Sequence, residues 1–314
     1  MSYVAWLTEG NLSREKAGGK GASLCDMASA GFDVPPGFCV TSDAYHYFSE
    51  ANGLPGQVEA VLEGVDASQP AAVAQACAEI EAVVARAVLP ADLRDAVRDA
   101  YRSLLAQQDI PCAVRSSAVS EDGSAASFAG LYETYLNIRG EDDILACLHK
   151  CYASLWSNRA VGYRLRNGGG HDEAMAVVIM GMVPSETSGI AFTAHPVTGS
   201  RDTVVINSSW GLGEAIVSGR VTPDSFLVAK GTWQVLEREI FPKLVATYPD
   251  GGGTADLPVD PAKQNQPSLT DGQAVEVARL ASRVEEHYGS PQDVEWAYAG
   301  GKLYLLQARP ITTL

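Results

Sequence analysis

The stretch "DVEWAYAGGKLYLLQARP" at residues 293–310 constrains the fold more than any other part of the chain. Apolar and polar residues alternate on both sides of Gly300-Gly301, the pattern of two half-buried strands joined by a tight turn. An antiparallel hairpin is therefore predicted, and with it a sheet. Asp293 and Glu295 point to one face together, as do Gln307 and Arg309. Loop length decides whether the two pairs share that face. A three-residue loop of Ala299, Gly300 and Gly301 pairs Tyr298 with Lys302, Glu295 with Leu305 and Asp293 with Gln307. All four polar groups then lie on one side. A two-residue Gly-Gly loop shifts the register by one and splits them. Gly301 suits the left-handed position of the longer loop. Oxygen donors beside a guanidinium suit a magnesium–polyphosphate, with hard oxygens for the metal and a fork for the phosphate. The same spacing also fits an exposed, ion-paired sheet face.

Elsewhere the periodicity is mixed. A short helix is predicted over 20–31, and "DVPPGFCVTSDAYHYF" is an extended piece entering a helix near Ser42-Asp43. The Ala-rich span 68–106 has helical spacing and accommodates two or three helices. "PCAV" begins a short apolar strand. Residues 142–168 form one long amphipathic pattern, ending at Gly168-Gly169-Gly170. "AMAVVIMGMV" is a buried strand, and the turn-rich stretch Pro184–Gly189 marks a boundary between an N-terminal lobe, 1–184, and a C-terminal lobe, 185–314. Short strands follow at "GIAFTA", "TVVINS", "SFLVA" and "WQVLEREI", then a polar Gly/Pro-rich loop over 250–268 and a helix over 271–288. Strands and helices without regular alternation predict an α+β fold in two lobes.

The formal charge of −15 disfavours a general nucleic-acid or anionic-membrane binder. It leaves room for a nucleotide, because a few converging cations can hold a triphosphate locally. No apolar run approaches the roughly 20 residues of a membrane span, and the N-terminus lacks the pattern of a signal peptide. The six cysteines show no CxxC spacing and sit among apolar neighbours, so reduced core residues in a cytoplasmic protein are expected.

Three further segments carry chemistry-bearing residues. In "AGGKGAS" (17–23), two glycines permit close backbone approach and Lys20 stands at a helix start, where amide groups favour an anion. The pattern is not that of a P-loop, and a flexible turn before a helix fits it equally. In "AVRSSAVSEDGSAASFAGLYET" (113–134), Arg115 follows an apolar strand. Ser116 and Ser117 add hydroxyl and backbone donors, and Gly123–Ala126 resembles a mobile lid or a plain surface loop. "INSSWGLGEAIVSGRVTPDSF" (206–226) combines a glycine turn with Trp210, Glu214, Arg220 and Asp224.

Together, "GGKGASL", "PPGFCVT", "AVRSSA", "SFAGLYET", "SGIAFTAHPVTG", "SWGLGEAIVSGRVTPD" and the closing hairpin occur in an order that resembles one family. It is the N-terminal nucleotide-binding domain of pyruvate phosphate dikinase, phosphoenolpyruvate synthase and rifampin phosphotransferase. The match runs from about residue 17 to the end. The resemblance implies an ATP-grasp-like fold with ATP between two lobes. It implies that Lys20, Arg115 and Arg309 hold phosphates and act in catalysis, with Ser116 beside them. Glu295 and Gln307 would ligate Mg2+, and Gly130 and Thr134 would belong to the loop over the triphosphate. Met180, at a nucleotide-facing position, stands where relatives commonly place glutamine, and His195 where asparagine is usual.

In such enzymes ATP phosphorylates a histidine on a separate swivelling domain, and none of the five histidines here resembles that motif. The histidine-carrier and acceptor-binding domains are therefore expected on another chain or on missing sequence. Two other readings fit the residues: a nucleotide-binding module without transfer, and a kinase acting directly on a small acceptor.

Overall fold

Helices cover the faces of the main sheets, and side-chain alternation along the strands decides which residues meet them. The computed structural model describes residues 2–10, 12–66, 68–119, 133–166 and 173–312. Two compact units are present, one of Met1–Asp26 with Pro36–Gly181 and one of Met27–Pro35 with Met182–Leu314.

The first unit begins with β1 (Val4–Trp6), α1 (Arg14–Ser29), β2 (Gly37–Val40) and α2 (Ser42–Ala51). Then come α3 (Leu54–Leu62), α4 (Pro70–Arg86) and α5 (Ala91–Gln107). β3 (Cys112–Ala118), β4 (Thr134–Ile138), α6 (Glu141–Ser154), α7 (Asn158–Arg166) and β5 (Met175–Gly181) complete it. The strands pair antiparallel in the order β1-β2-β5-β3-β4. β5 is buried along its whole length, so both of its faces need cover. Phe38, Val40, Cys112, Val114, Val177 and Ile179 pack into a large apolar cluster with side chains from α2 to α7. The alternate residues face the other way, where Cys39 and Ala176 pack with Ala17 of α1.

The long helix expected over 142–168 is two helices. The ladder of four-residue hydrogen bonds gives way there to three-residue ones, Trp156 N–H donating to the Ala153 carbonyl at 3.0 Å and Ser157 N–H to that of Ser154 at 3.2 Å. Serines flank the break: Ser154 Oγ donates to the Cys151 carbonyl at 2.7 Å, and Ser157 Oγ accepts from Ala160 N–H at 3.3 Å. Such side chains offer the backbone an alternative to the helical ladder.

The second unit holds β6 (Thr187–Phe192), β7 (Thr203–Trp210), α8 (Glu214–Val217), β8 (Asp224–Ala229) and β9 (Val235–Glu239). β10 (Val245–Asp250), β11 (Gly253–Pro258), α9 (Asp271–Tyr288), β12 (Gln292–Ala299) and β13 (Lys302–Pro310) follow. Its sheet is antiparallel in the order β13-β12-β6-β7-β8-β9, with β10-β11 a separate pair. α9 starts in a capping box between Thr270 and Gln273 and stops at Gly289, whose φ is 66°. The Tyr298 hydroxyl donates to Glu276, placing α9 on the face of β12 that carries residues 294, 296 and 298. The segment 27–35 is tied to this unit through the sheet edge. Leu305 N–H donates to the Asp33 carbonyl at 3.0 Å, and the Arg283 guanidinium lies 4.8 Å from the Phe32 ring.

The polar loop expected over 250–268 contains a hairpin instead. Gly251 and Gly252 have φ of 48° and 86°, the left-handed pair that a two-residue turn requires. Pro249 and Pro258 obscured the strands in the sequence, yet a two-stranded ribbon has free edges that tolerate proline. The α+β class is met in both units. Among the described residues no helix is long and apolar enough to cross a membrane.

Gly189 on β6 sits opposite Trp296, which is fully buried. A Cβ there would lie 2.0 Å from the Asn207 carbonyl oxygen and 2.7 Å from Trp296 Cζ2. Overpacking of a tight core typically costs about 1–3 kcal/mol. Gly189→Ala should lower unfolding stability by that amount or more in urea titration, whereas a wild-type midpoint would show that β6 and β7 can part without cost.

Candidate phosphate-binding and metal-ligating residues

Strand parity groups the expected residues of the first unit. Arg115 pairs with Thr134 on one side and Val178 on the other, and Met180 pairs with Ala113 and Gly37. Arg115, Thr134 and Met180 thus share the sheet face against which α1 packs. Lys20 is carried by α1, and its Nζ donates to the Ser116 carbonyl at 3.2 Å. Ser116 itself faces the opposite side. Its hydroxyl and its N–H both donate to the Glu133 carbonyl, at 2.7 and 3.1 Å. Its contribution on the Lys20 side is therefore a carbonyl. Gly130 and the Gly123–Ala126 stretch lie outside the described residues.

α1 is not one regular helix. Gly18 interrupts it with φ 67° and ψ −178°, and a Cβ at that position would fall 2.0 Å from the Ser117 carbonyl oxygen. Only glycine permits both the backbone angle and this approach to β3. The helix expected from residue 20 thus begins as a second segment just after the kink.

The hairpin of the second unit corrects the predicted register. The turn is the two-residue Gly300-Gly301, with Ala299 opposite Lys302 and Tyr298 opposite Leu303. Such a turn alone would have split the polar pairs. A bulge restores them: Trp296 pairs with Leu305 and Glu295 with Gln307, so Leu306 is an extra residue on β13. Asp293 stands opposite Arg309. All four side chains share a face, the one away from α9. Two opposed oxygen-bearing groups, Glu295 and Gln307, therefore neighbour a guanidinium across adjacent register positions.

Asp293 is spent on that guanidinium. Its Oδ2 accepts from Arg309 Nε at 2.8 Å and from Nη2 at 2.7 Å, with the Asp293 side chain 10% and that of Arg309 30% exposed. The carboxylate fixes the orientation of the fork while part of the guanidinium stays at the surface. Alternation in the sequence had placed Asp293 among the oxygen donors without assigning it this partner. Among the described residues no group of three or more His, Cys, Asp or Glu side chains converges as a metal site. A metal site here would rest on the Glu295–Gln307 pair with further oxygens supplied by a ligand. This is the donor chemistry that Mg2+ accepts, since it is commonly held through one or two carboxylates and substrate phosphates.

The remaining candidates have structural roles. His195 Nδ1 accepts from the N–H groups of Val197 and Thr198 at 3.2 and 3.3 Å, capping a turn as an asparagine oxygen would. Asp224 is fully buried and bonded to Lys243 Nζ at 2.6 Å, Ser268 N and Oγ at 2.7 Å each, and Phe241 N at 3.1 Å. Arg220 pairs with Glu214 and with Asp256 of β11, binding the glycine turn to the ribbon. All six cysteines are free and buried. Burial pushes the thiol of Cys25 up to about 11 and that of Cys112 up to about 12, so both stay protonated and unreactive at neutral pH.

The probable phosphoenolpyruvate synthase of Methanocaldococcus jannaschii is 42% identical over 322 residues, covering 100% of this chain and 27% of its own. That of Methanothermobacter thermautotrophicus is also 42% identical, over 100% of this chain and 46% of its own. The phosphoenolpyruvate synthase of Pyrococcus furiosus is 39% identical over 99% of this chain and 44% of its own. The chain thus spans between about a quarter and a half of the length of these relatives. Among solved structures, D-alanine-D-alanine ligase from Helicobacter pylori aligns with 68% of this chain and 46% of its own, at 9% identity and a TM-score of 0.28. A likeness that loose carries no weight. The family model of the pyruvate phosphate dikinase AMP/ATP-binding domain matches residues 14–314, and the chain belongs to that family.

Proposed function

We propose that this domain is the ATP-binding, phosphoryl-donating component of a dikinase-type phosphotransferase, passing a phosphoryl group from Mg-ATP to a histidine on a separate carrier domain or partner. The observation that carries the reading is the register of the last hairpin, Glu295 opposite Gln307 and Asp293 opposite Arg309. Membership of an AMP/ATP-binding family supplies the nucleotide. In this reading Lys20, Arg115 and Arg309 hold phosphate oxygens, and Thr134 and Gly130 belong to the segment that covers the triphosphate. Glu295 and Gln307 would hold Mg2+, which neutralises charge developing between the phosphates. An ATP-grasp-like fold with lobes 1–184 and 185–314 belongs to the same proposal.

Phosphoryl transfer asks little covalent chemistry of the protein. A histidine nitrogen forms the new N–P bond as a P–O bond to the nucleotide breaks, and the electron pair leaves on the nucleotide oxygen. Positioning and charge neutralisation therefore dominate. The braced Arg309 favours transfer over mere binding, because orienting a guanidinium fork is of most use where phosphate charge changes during reaction. The relatives' name, phosphoenolpyruvate synthase, suggests pyruvate chemistry for the complete protein.

ATP should bind far more tightly with Mg2+ than with chelator in titration calorimetry, and equal affinities would remove the metal from Glu295 and Gln307. Lys20→Ala and Arg309→Ala should each weaken ATP binding by about one to two decades, since a charge-assisted contact contributes roughly 1.5–3 kcal/mol. Wild-type affinity in both would defeat the assignment. Incubated alone with labelled ATP, the chain should acquire no stoichiometric acid-labile, base-stable label until a histidine-bearing partner is added. Such a label on the isolated chain would instead make one of its own histidines the carrier.

A further inference from the structure

Ala17 and Gly21 are four residues apart, the spacing at which an uninterrupted helix would join carbonyl to N–H directly. They are joined instead through a side chain from another element. Ser117 Oγ donates to the Ala17 carbonyl at 2.7 Å and accepts from Gly21 N–H at 3.0 Å. Ser117 is fully buried, and the kink at Gly18 brings the two chains together, leaving 2.4 Å between a Cβ built on Gly18 and Ser117 Oγ.

A hydroxyl is suited to this place because it gives one hydrogen bond and takes another. Lys20 lies inside the span so closed, and its amino group meets the carbonyl of Ser116, the preceding residue of the same strand. β3 therefore grips this turn twice, once by its backbone through Ser117 and once by the lysine head through Ser116. It also carries Arg115 on the same face as Ser117.

We infer that Ser117 is a positioning residue for Lys20: its hydroxyl spans the gap in α1 and sets where the lysine amino group can meet a nucleotide phosphate. The inference rests on the reading of Lys20 as a phosphate-holding group. It adds a residue whose side chain touches no ligand but whose loss should be felt through one that does. Without the hydroxyl, Ala17 and Gly21 must either close on each other or stay unsatisfied, and each outcome moves the turn.

The test is a double-mutant cycle on the full chain, read by calorimetry with Mg-ATP and by competition with adenosine, which lacks phosphates. Thermal unfolding of every variant accompanies it. Ser117→Ala should weaken ATP binding by about tenfold, the scale of one or two lost hydrogen bonds, and leave adenosine binding within about twofold. In a Lys20→Ala background the same serine change should have no further effect on ATP. Ser117→Cys keeps the shape of the side chain with a slightly larger head and weaker hydrogen bonding, and should fall between serine and alanine. Equal losses of ATP affinity with and without Lys20 would overturn the inference and leave Ser117 a structural residue, as would unchanged ATP affinity beside a lowered melting temperature. If Lys20→Ala itself binds ATP like the wild type, the phosphate reading of Lys20 fails first, and that result is distinguishable from the other two.

Discussion

Because side chains alternate along a strand, the number of residues between a hairpin turn and any later position fixes the face on which that position emerges. In the last hairpin this count is adjusted by a single residue. The turn at Gly300-Gly301 is the short one, and the bulge at Leu306 returns Gln307 and Arg309 to the face of Asp293 and Glu295. The phosphate and metal chemistry proposed for this unit depends on that bulge. Leu305, beside it, donates its N–H to the Asp33 carbonyl, so this edge strand is tied at the bulge from outside the sheet. The segment 27–35 thereby has a physical reason to belong to the second unit.

The fold was legible where one local signal dominated. α9 was readable because Thr270, Gln273 and Gly289 mark both of its ends, and β5 because an unbroken apolar run of seven residues has few other uses. Legibility failed where two signals competed. The helical spacing of 142–168 conceals the break between α6 and α7, and the proline and glycine that predict a loop over 250–268 include the turn and second strand of a ribbon. The site divided in the same way. Residue types and order pointed to the polar face of the hairpin, but the register came out by a different route, since a bulge of ordinary leucine leaves no mark on alternation that a sequence reader would count.

Other features were invisible for a different reason, namely that partners distant in sequence determine them. Ser117 meets Ala17 and Gly21 across about a hundred residues, and Asp224 with Lys243 forms a fully buried ion pair closed off by Ser268. Charge alone would have placed Asp224 among ligand candidates. Its four hydrogen bonds fasten the start of β8 to Phe241 and Lys243 beyond β9 and to Ser268 before α9, where a buried carboxylate left unpaired would be strongly destabilising. A chain with a formal charge of −15 can thus use some of its acids as internal fasteners rather than as surface charge.

The strand order of the second sheet also bears on how the protein is made. β12 is the neighbour of β6, yet about a hundred residues separate them, and everything from β7 to α9 is synthesised in between. Until the ribosome has delivered β12, β6 presents one row of unpaired backbone groups, with the flat Gly189 waiting for the indole of Trp296. Non-local pairing of this kind closes slowly, and an open strand edge invites pairing with another chain. The strand that bears Asp293 and Glu295 is therefore also the one that covers β6, so a nascent or clipped chain lacking it would be prone to pair with other chains.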